Sequence, residues 1–303
     1  MIQPELADVF VIDIYGDPVI VSWESTPDNQ YLWGNTNDPK WQEFLLEQGK
    51  GLVDAGVDGI IIDEQLGTAM SLWNGGSFGE PDMTLFRAYL KSTYSDQELL
   101  NKFGIGVPDT FNYGDYIIGK NLANTWVSTP WTVPLYKEYL EFQYVEILKF
   151  MKQLTNQTRN YSKTTYGKQI SFSANLYGLQ AANLIFADLL DYYTVEFPYM
   201  GDGYPPESQA IPFYKLARAL GNKPAITIMD THTVADLMSR STSTSNLMTI
   251  YIAEAYASRG ALFVPEGVYG WSDAGGPTWY KGDMSVLGSR REVSMVEETS
   301  KAR

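Results

Sequence analysis

Acidic and amide residues stand at the ends of short apolar runs along this chain, and their types point to carboxylate chemistry. Six such runs end at, or just past, Asp13, Asp63-Glu64, Asn175, Glu196, Asp230 and Glu266. Two carboxyl groups facing each other across a pocket can cleave a glycosidic bond. One protonates the leaving oxygen, and the other attacks as a nucleophile or activates water.

Other chemistries lose their reagents by composition. The sequence has no cysteine, which removes disulfides, thiolate catalysis and cysteine metal sites. His232 is its single histidine, so the usual multi-histidine metal sites are not expected, and no cofactor is implied. A Schiff-base lyase or aldolase needs a lysine at a strand tip, and no tip carries one. The net charge of -14 argues against nucleic acid or an anionic membrane surface as a partner. No apolar stretch approaches the ~18 residues of a membrane span. Met1-Ile2-Gln3-Pro4-Glu5 has neither the basic region nor the apolar core of a signal peptide, and localisation stays open.

Aromatic residues make up 14% of the chain, with 8 Trp and 21 Tyr. They fit either a large aromatic core or flat platforms on which sugar rings stack. Trp33, Trp73, Trp271 and Trp279 fall in expected loops, where a platform role suits them better than it suits Trp41 on a helix. Asn175, Tyr199 and His232, at or just beyond strand tips, join them as candidate substrate-binding residues.

The elements that must position these groups alternate between strand and helix, which is the pattern of a parallel sheet closed into a barrel. In such barrels functional groups sit at the C-terminal ends of the strands. A helix begins at Asp38-Pro39 and stops at Gly56, with Trp41, Phe44, Leu45, Leu52 and Val53 on one face. The strand ending at Asp63-Glu64 follows. Residues 65–134 are a long insertion with a helix expected over 82–103, and Gly75-Gly76-Ser77-Phe78-Gly79 within it is a loop without P-loop spacing. A second long helix is expected over 134–158, then strands near 170, 192, 225 and 261. The expected fold is an α/β (β/α)8 TIM-type barrel with about six strands evident, lacking its first one or two βα units. It occupies one domain, residues 1–288, followed by a charged tail over 289–303. Exposed edge strands in such a barrel make a homo-oligomer an expectation.

Alternation along each strand sorts the tips. Ser171, Ser173 and Asn175 share a face opposite Ile170, Phe172 and Ala174, so Asn175 is expected to point inward. Thr194 and Glu196 are inward by the same rule, with Val195 and Phe197 outward. Asp63 and Glu64 lie on opposite faces, and parity alone does not choose between them. Asp230 shares parity with Ile226 and Ile228, which counts against it. Glu266 shares parity with Leu262 and Val264 and follows a proline, which places it on a loop.

Asp13-Ile14-Tyr15-Gly16-Asp17-Pro18-Val19, then Asn35 through Trp41, then Gly56 through Glu64, resembles TIM-barrel glycoside hydrolases of the beta-galactosidase-like and hypothetical glycosyl hydrolase groups. Leu85 through Leu90 followed by Tyr94 is similar to a segment after their acid-bearing fourth strand. The resemblance covers about residues 8–105, with weaker support through Gly270, and implies Glu64 as acid/base. The family carries Asn-Glu at the fourth strand end and Glu at the seventh, where this chain has Asp63-Glu64 and Met229-Asp230. The nucleophile therefore falls to Glu196 or Asp230, or to Glu266 if the strand register is shifted. The expected function is hydrolysis of an oligo- or polysaccharide, with a non-catalytic carbohydrate-binding barrel as the alternative.

Overall fold

A computed structural model describes residues 8–22, 25–177, 181–197, 210–229 and 252–263. The chain divides into two compact units, Met1–Asp58 with Leu66–Ile170, and Gly59–Gln65 with Ser171–Arg303.

The first unit opens on an antiparallel ladder. Val11 N–H donates to the Trp33 carbonyl at 2.8 Å, Val19 N–H to Val11 at 2.9 Å, and Trp33 N–H to Val19 at 3.0 Å. The side chains of the same three residues pack into a small core of their own. Residues 9–13 are therefore not the first strand of the parallel sheet, contrary to the sequence expectation. The cause is local. Asp13 Oδ1 accepts the N–H groups of Tyr15 (2.8 Å) and Asp17 (3.0 Å), and Gly16 takes φ 90°, so the chain doubles back at once.

Helix α1 (Pro39–Asp54) starts as expected, with the Asp38 carboxylate accepting from Lys40 N–H at 2.8 Å and Pro39 in the first turn. It packs on α7 (Tyr136–Tyr166) at Gly49, where a Cβ would stand 2.8 Å from Thr158 Oγ1. Leu52, expected on its apolar face, is exposed.

The expected insertion is almost wholly helical. It holds α2 (Thr68–Ser71), α3 (Glu80–Thr93), α4 (Asp96–Phe103), α5 (Tyr113–Gly119) and α6 (Ala123–Ser128). The single helix expected over 82–103 is two, because Ser95 and Glu98 form a reciprocal capping box that restarts the chain. Tyr139, Phe142, Ile147, Phe150 and Leu154 of α7 are buried, as their spacing predicts. Phe86 meets Tyr139 edge-on at 4.8 Å, and Phe78 meets Trp126 at 5.2 Å and Tyr139 at 5.8 Å. Much of the aromatic excess is thus a core.

The second unit is a parallel sheet of β1 (Gly59–Ile62), β2 (Ser171–Tyr177), β3 (Tyr193–Phe197), β4 (Ala225–Met229) and β5 (Ala261–Phe263). Its strand order follows the chain, β1-β2-β3-β4-β5, with no reversal. Five of the six apolar runs are these strands. One face carries Phe172, Ala174, Leu176 and Val195, all buried. Between β3 and β4 lies α9 (Ala210–Ala219), whose Tyr214 hydroxyl shares a hydrogen bond with Thr227 Oγ1 at 2.6 Å. The ring fits because residue 260 is glycine: a Cβ there would stand 2.1 Å from Tyr214 Cδ1.

Candidate functional site

Every strand of a parallel sheet ends on the same side, so the polar tips of β1, β2 and β3 are neighbours by topology. The register fixes the faces. Ile61 pairs with Ser173, Asn175 with Thr194, Tyr177 with Glu196, and Glu196 with Ile228. Paired residues in a parallel ladder share a face. One face therefore carries, in layers, Ile61 and Ser173, then Asp63, Asn175 and Thr194, then positions 177, 196 and 228.

The middle layer is hydrogen-bonded across strands. Asn175 Nδ2 donates to Asp63 Oδ1 at 3.1 Å, which answers the question parity left open: Asp63 is on the Asn175 face. The Ser173 and Thr194 hydroxyls lie 2.9 Å apart, both buried, and the Ser173 hydroxyl also donates to the Tyr192 carbonyl at 2.9 Å. Towards β1 the face opens, since Asp63 is exposed and Ile61 is 52% exposed.

Glu64 leaves the strand direction. Its φ is 50°, its N–H donates to Asp63 Oδ1 at 3.1 Å, and its side chain is half-buried. A non-glycine residue in the left-handed region costs about 1 kcal/mol or more and is held only where its surroundings demand it. Gln65 follows directly. Its buried amide donates to Asn183 Oδ1 at 2.9 Å, in α8 (Ala181–Leu184), and pins the chain just past the two acids. Sequence reasoning missed Gln65; the signal was a polar residue between a strand tip and an apolar turn.

The other expected residues divide three ways. Glu196 is the fourth residue of β3, and its backbone position is one layer beyond Asp63 and Asn175. Trp33 is a correction: at 5% exposure it belongs to the Val11/Val19 core, because the ladder folds its loop inward. Trp73 is 62% exposed, on the first unit. Asp230, Glu266, Tyr199, His232, Trp271 and Trp279 lie outside the described residues. In β4, Ile226 and Ile228 pair with Thr194 and Glu196.

Among the described residues no cluster of histidine, cysteine, aspartate and glutamate could hold a metal ion, and no helix is long and apolar enough to cross a membrane.

The first unit holds a second polar centre that the sequence did not disclose. Asp82 is fully buried, with Oδ2 accepting from Asn35 Nδ2 at 2.7 Å. Its Oδ1 accepts from Asn37 Nδ2 at 2.8 Å and from Gln143 Nε2 at 3.4 Å. Burial pushes the carboxyl above its ordinary range despite these donors. This network joins the segment before α1 to α3 and α7.

No family model matches the chain, and no curated protein sequence matches it. Among solved structures it is similar to a beta-galactosidase from Bacillus circulans sp. alkalophilus, at 16% identity and a TM-score of 0.45, over 73% of this chain and 32% of that one. It is also similar to an agarase (11% identity, TM-score 0.40, 65% of this chain and 28% of that one). An exo-beta-agarase gives 13% identity and a TM-score of 0.41, over 66% of this chain and 27% of the other. The chain thus spans about a third or less of these proteins. The values describe a partial likeness of backbone course.

Proposed function

We propose that the chain is a glycoside hydrolase acting on an oligo- or polysaccharide, built on a TIM-type barrel. Strand order supports the barrel. Doubly wound sheets reverse their order at a switch point, whereas barrel strands follow the chain, as β1 to β5 do.

The observation that carries the activity is the Asp63–Asn175 bond at 3.1 Å, which gathers the tips of adjacent strands on the face that position 196 continues. In this reading Glu64 protonates the glycosidic oxygen, and Glu196 attacks the anomeric carbon or activates water against it. Asp63 and Asn175 hold one another at the rim. The strained backbone at Glu64 fits a residue placed for use.

Aryl glycosides and polysaccharides screened against wild type, Glu64→Gln and Glu196→Gln test the assignment. Each variant should lower kcat/KM by about 10²–10⁴-fold while folding normally. Near-normal turnover in both would sink it.

A further inference from the structure

The first unit contains a cleft that the strand-tip chemistry does not use. Its volume is about 500 Å³, within the range of small-ligand sites. Buried Ile14, Leu72 and Trp126 line it, and Tyr15, Trp73 and Trp131 stand in it with 63%, 62% and 67% of their surface exposed. The described tryptophans are 33, 41, 73, 126 and 131, and the two exposed ones both belong to this cleft.

Exposed indoles concentrated in one concavity are costly unless they meet a ligand. Their supports are short turns. Trp73 lies in the turn Leu72–Asn74, closed by Gly75 at φ 90°, and Trp131 in the turn Pro130–Thr132. Tyr15 sits in the tight turn whose N–H groups hold Asp13 Oδ1. Such backbone anchoring lowers the ordering cost of binding.

The polar lining selects the ligand class. Asp13, Asn74 and Ser128 offer oxygen and amide groups, and among the described residues no lysine, arginine or histidine lines the cleft. An anion would find no counter-charge in a chain of net charge -14. Two backbone N–H groups already offset the Asp13 carboxylate, so it suits a hydroxyl donor better than a full cation. Flat faces edged by acceptors fit a neutral, polyhydroxylated ring.

We infer that this cleft is a carbohydrate-binding site, with Trp73 and Trp131 as stacking platforms and Asp13 as a hydroxyl acceptor. It shares no residue with the strand tips and binds whether or not they hydrolyse.

The test titrates the full chain with neutral oligosaccharides of glucose, mannose, xylose or galactose, and separately with choline chloride. Tryptophan fluorescence and calorimetry read binding, and reducing ends are measured in parallel. At least one saccharide should bind, Trp73→Ala and Trp131→Ala should each weaken it about tenfold, and Tyr256→Ser, at an exposed aromatic outside the cleft, should not. No saccharide binding, undiminished binding in both tryptophan variants, or binding of choline alone overturns the inference. Cleft-dependent binding without released ends supports it while defeating the hydrolase reading. Release of ends with undiminished binding in both variants does the reverse.

Discussion

Replacing Asp82 with asparagine exchanges one acceptor oxygen for a donor amide in a site where every hydrogen-bond partner named above is a donor. With the new oxygen kept toward Asn37 and Gln143, its amide faces Asn35 Nδ2, now 2.7 Å from Asp82 Oδ2. Turning Asn35 over only moves the mismatch. Its Oδ1 already accepts from Asn37 N–H at 2.9 Å and Thr68 Oγ1 at 3.2 Å, and those donors would then meet an amide nitrogen. One stranded buried donor costs about 1–3 kcal/mol. Asp82→Ala strands Asn35 Nδ2, while Asn37 Nδ2 keeps the Gln143 carbonyl at 2.9 Å and Gln143 Nε2 keeps the Tyr139 hydroxyl. Its cost should be about 1–3 kcal/mol before any offset from no longer burying a charge. The pH dependence has a definite sign. Because burial raises the folded-state pKa above its ordinary value of 3.8, the contribution of this group is full below that value and declines as pH rises through the raised one. The protonated carboxyl carries one O–H donor, as the Asp82→Asn amide does, so the cost above is that of the ionised form, and the titration should move wild-type stability over the pH series while adding no pH dependence to Asp82→Asn. Urea unfolding followed by tryptophan fluorescence over a pH series measures both differences. An Asp82→Asn protein as stable as wild type throughout that range would refute the reasoning.

Two further outcomes follow from the second unit. Gly260→Ala should destabilise by about 1–3 kcal/mol, since its Cβ would overlap the buried Tyr214 ring at 2.1 Å. Combining it with Tyr214→Ala should cost less than the sum of the two changes, and simple additivity in urea unfolding would count against the contact. Asn175→Ala should lower kcat/KM on any hydrolysed glycoside about tenfold with little change in unfolding midpoint, and equal kinetics would remove Asn175 from the site.

The strands were legible because their apolar runs are short and end at or just before polar residues. Gly59–Ile62, Ser171–Tyr177, Tyr193–Phe197, Ala225–Met229 and Ala261–Phe263 all pair as parallel neighbours. Val9 to Asp13 has the same composition and a different fate. What separates it is the turn chemistry at Asp13, Gly16 and Pro18, which sends the chain into an antiparallel return after a few residues. Hydrophobic pattern alone does not distinguish a strand that crosses over to a helix from one that folds back on itself. Trp33 was misplaced for the same reason: its partner Val11 is 22 residues away, and only the ladder brings them together.

The candidate site shows where parity informs and where it misleads. Alternation assigned Asn175 and Asp63 to a face only relative to their own strands, and the 3.1 Å bond between them turned two separate assignments into one. For β4 the same rule gave the wrong sign. It assumed that the apolar residues of a strand must face the helices, yet Ile226 and Ile228 share the face of Thr194 and Glu196, while Thr227 bonds to Tyr214 of α9. A polar residue turns toward the helix layer when a buried hydroxyl waits there, and its neighbour Ile226 takes the other side. Composition cannot reveal that exchange, because the deciding partner lies 13 residues upstream in another element. Asp230, which follows β4 in the sequence, remains with Glu196 a candidate second carboxylate. Asp230→Asn alongside Glu196→Gln then separates them: the variant with the deeper loss of kcat on an activated aryl glycoside marks the nucleophile or base.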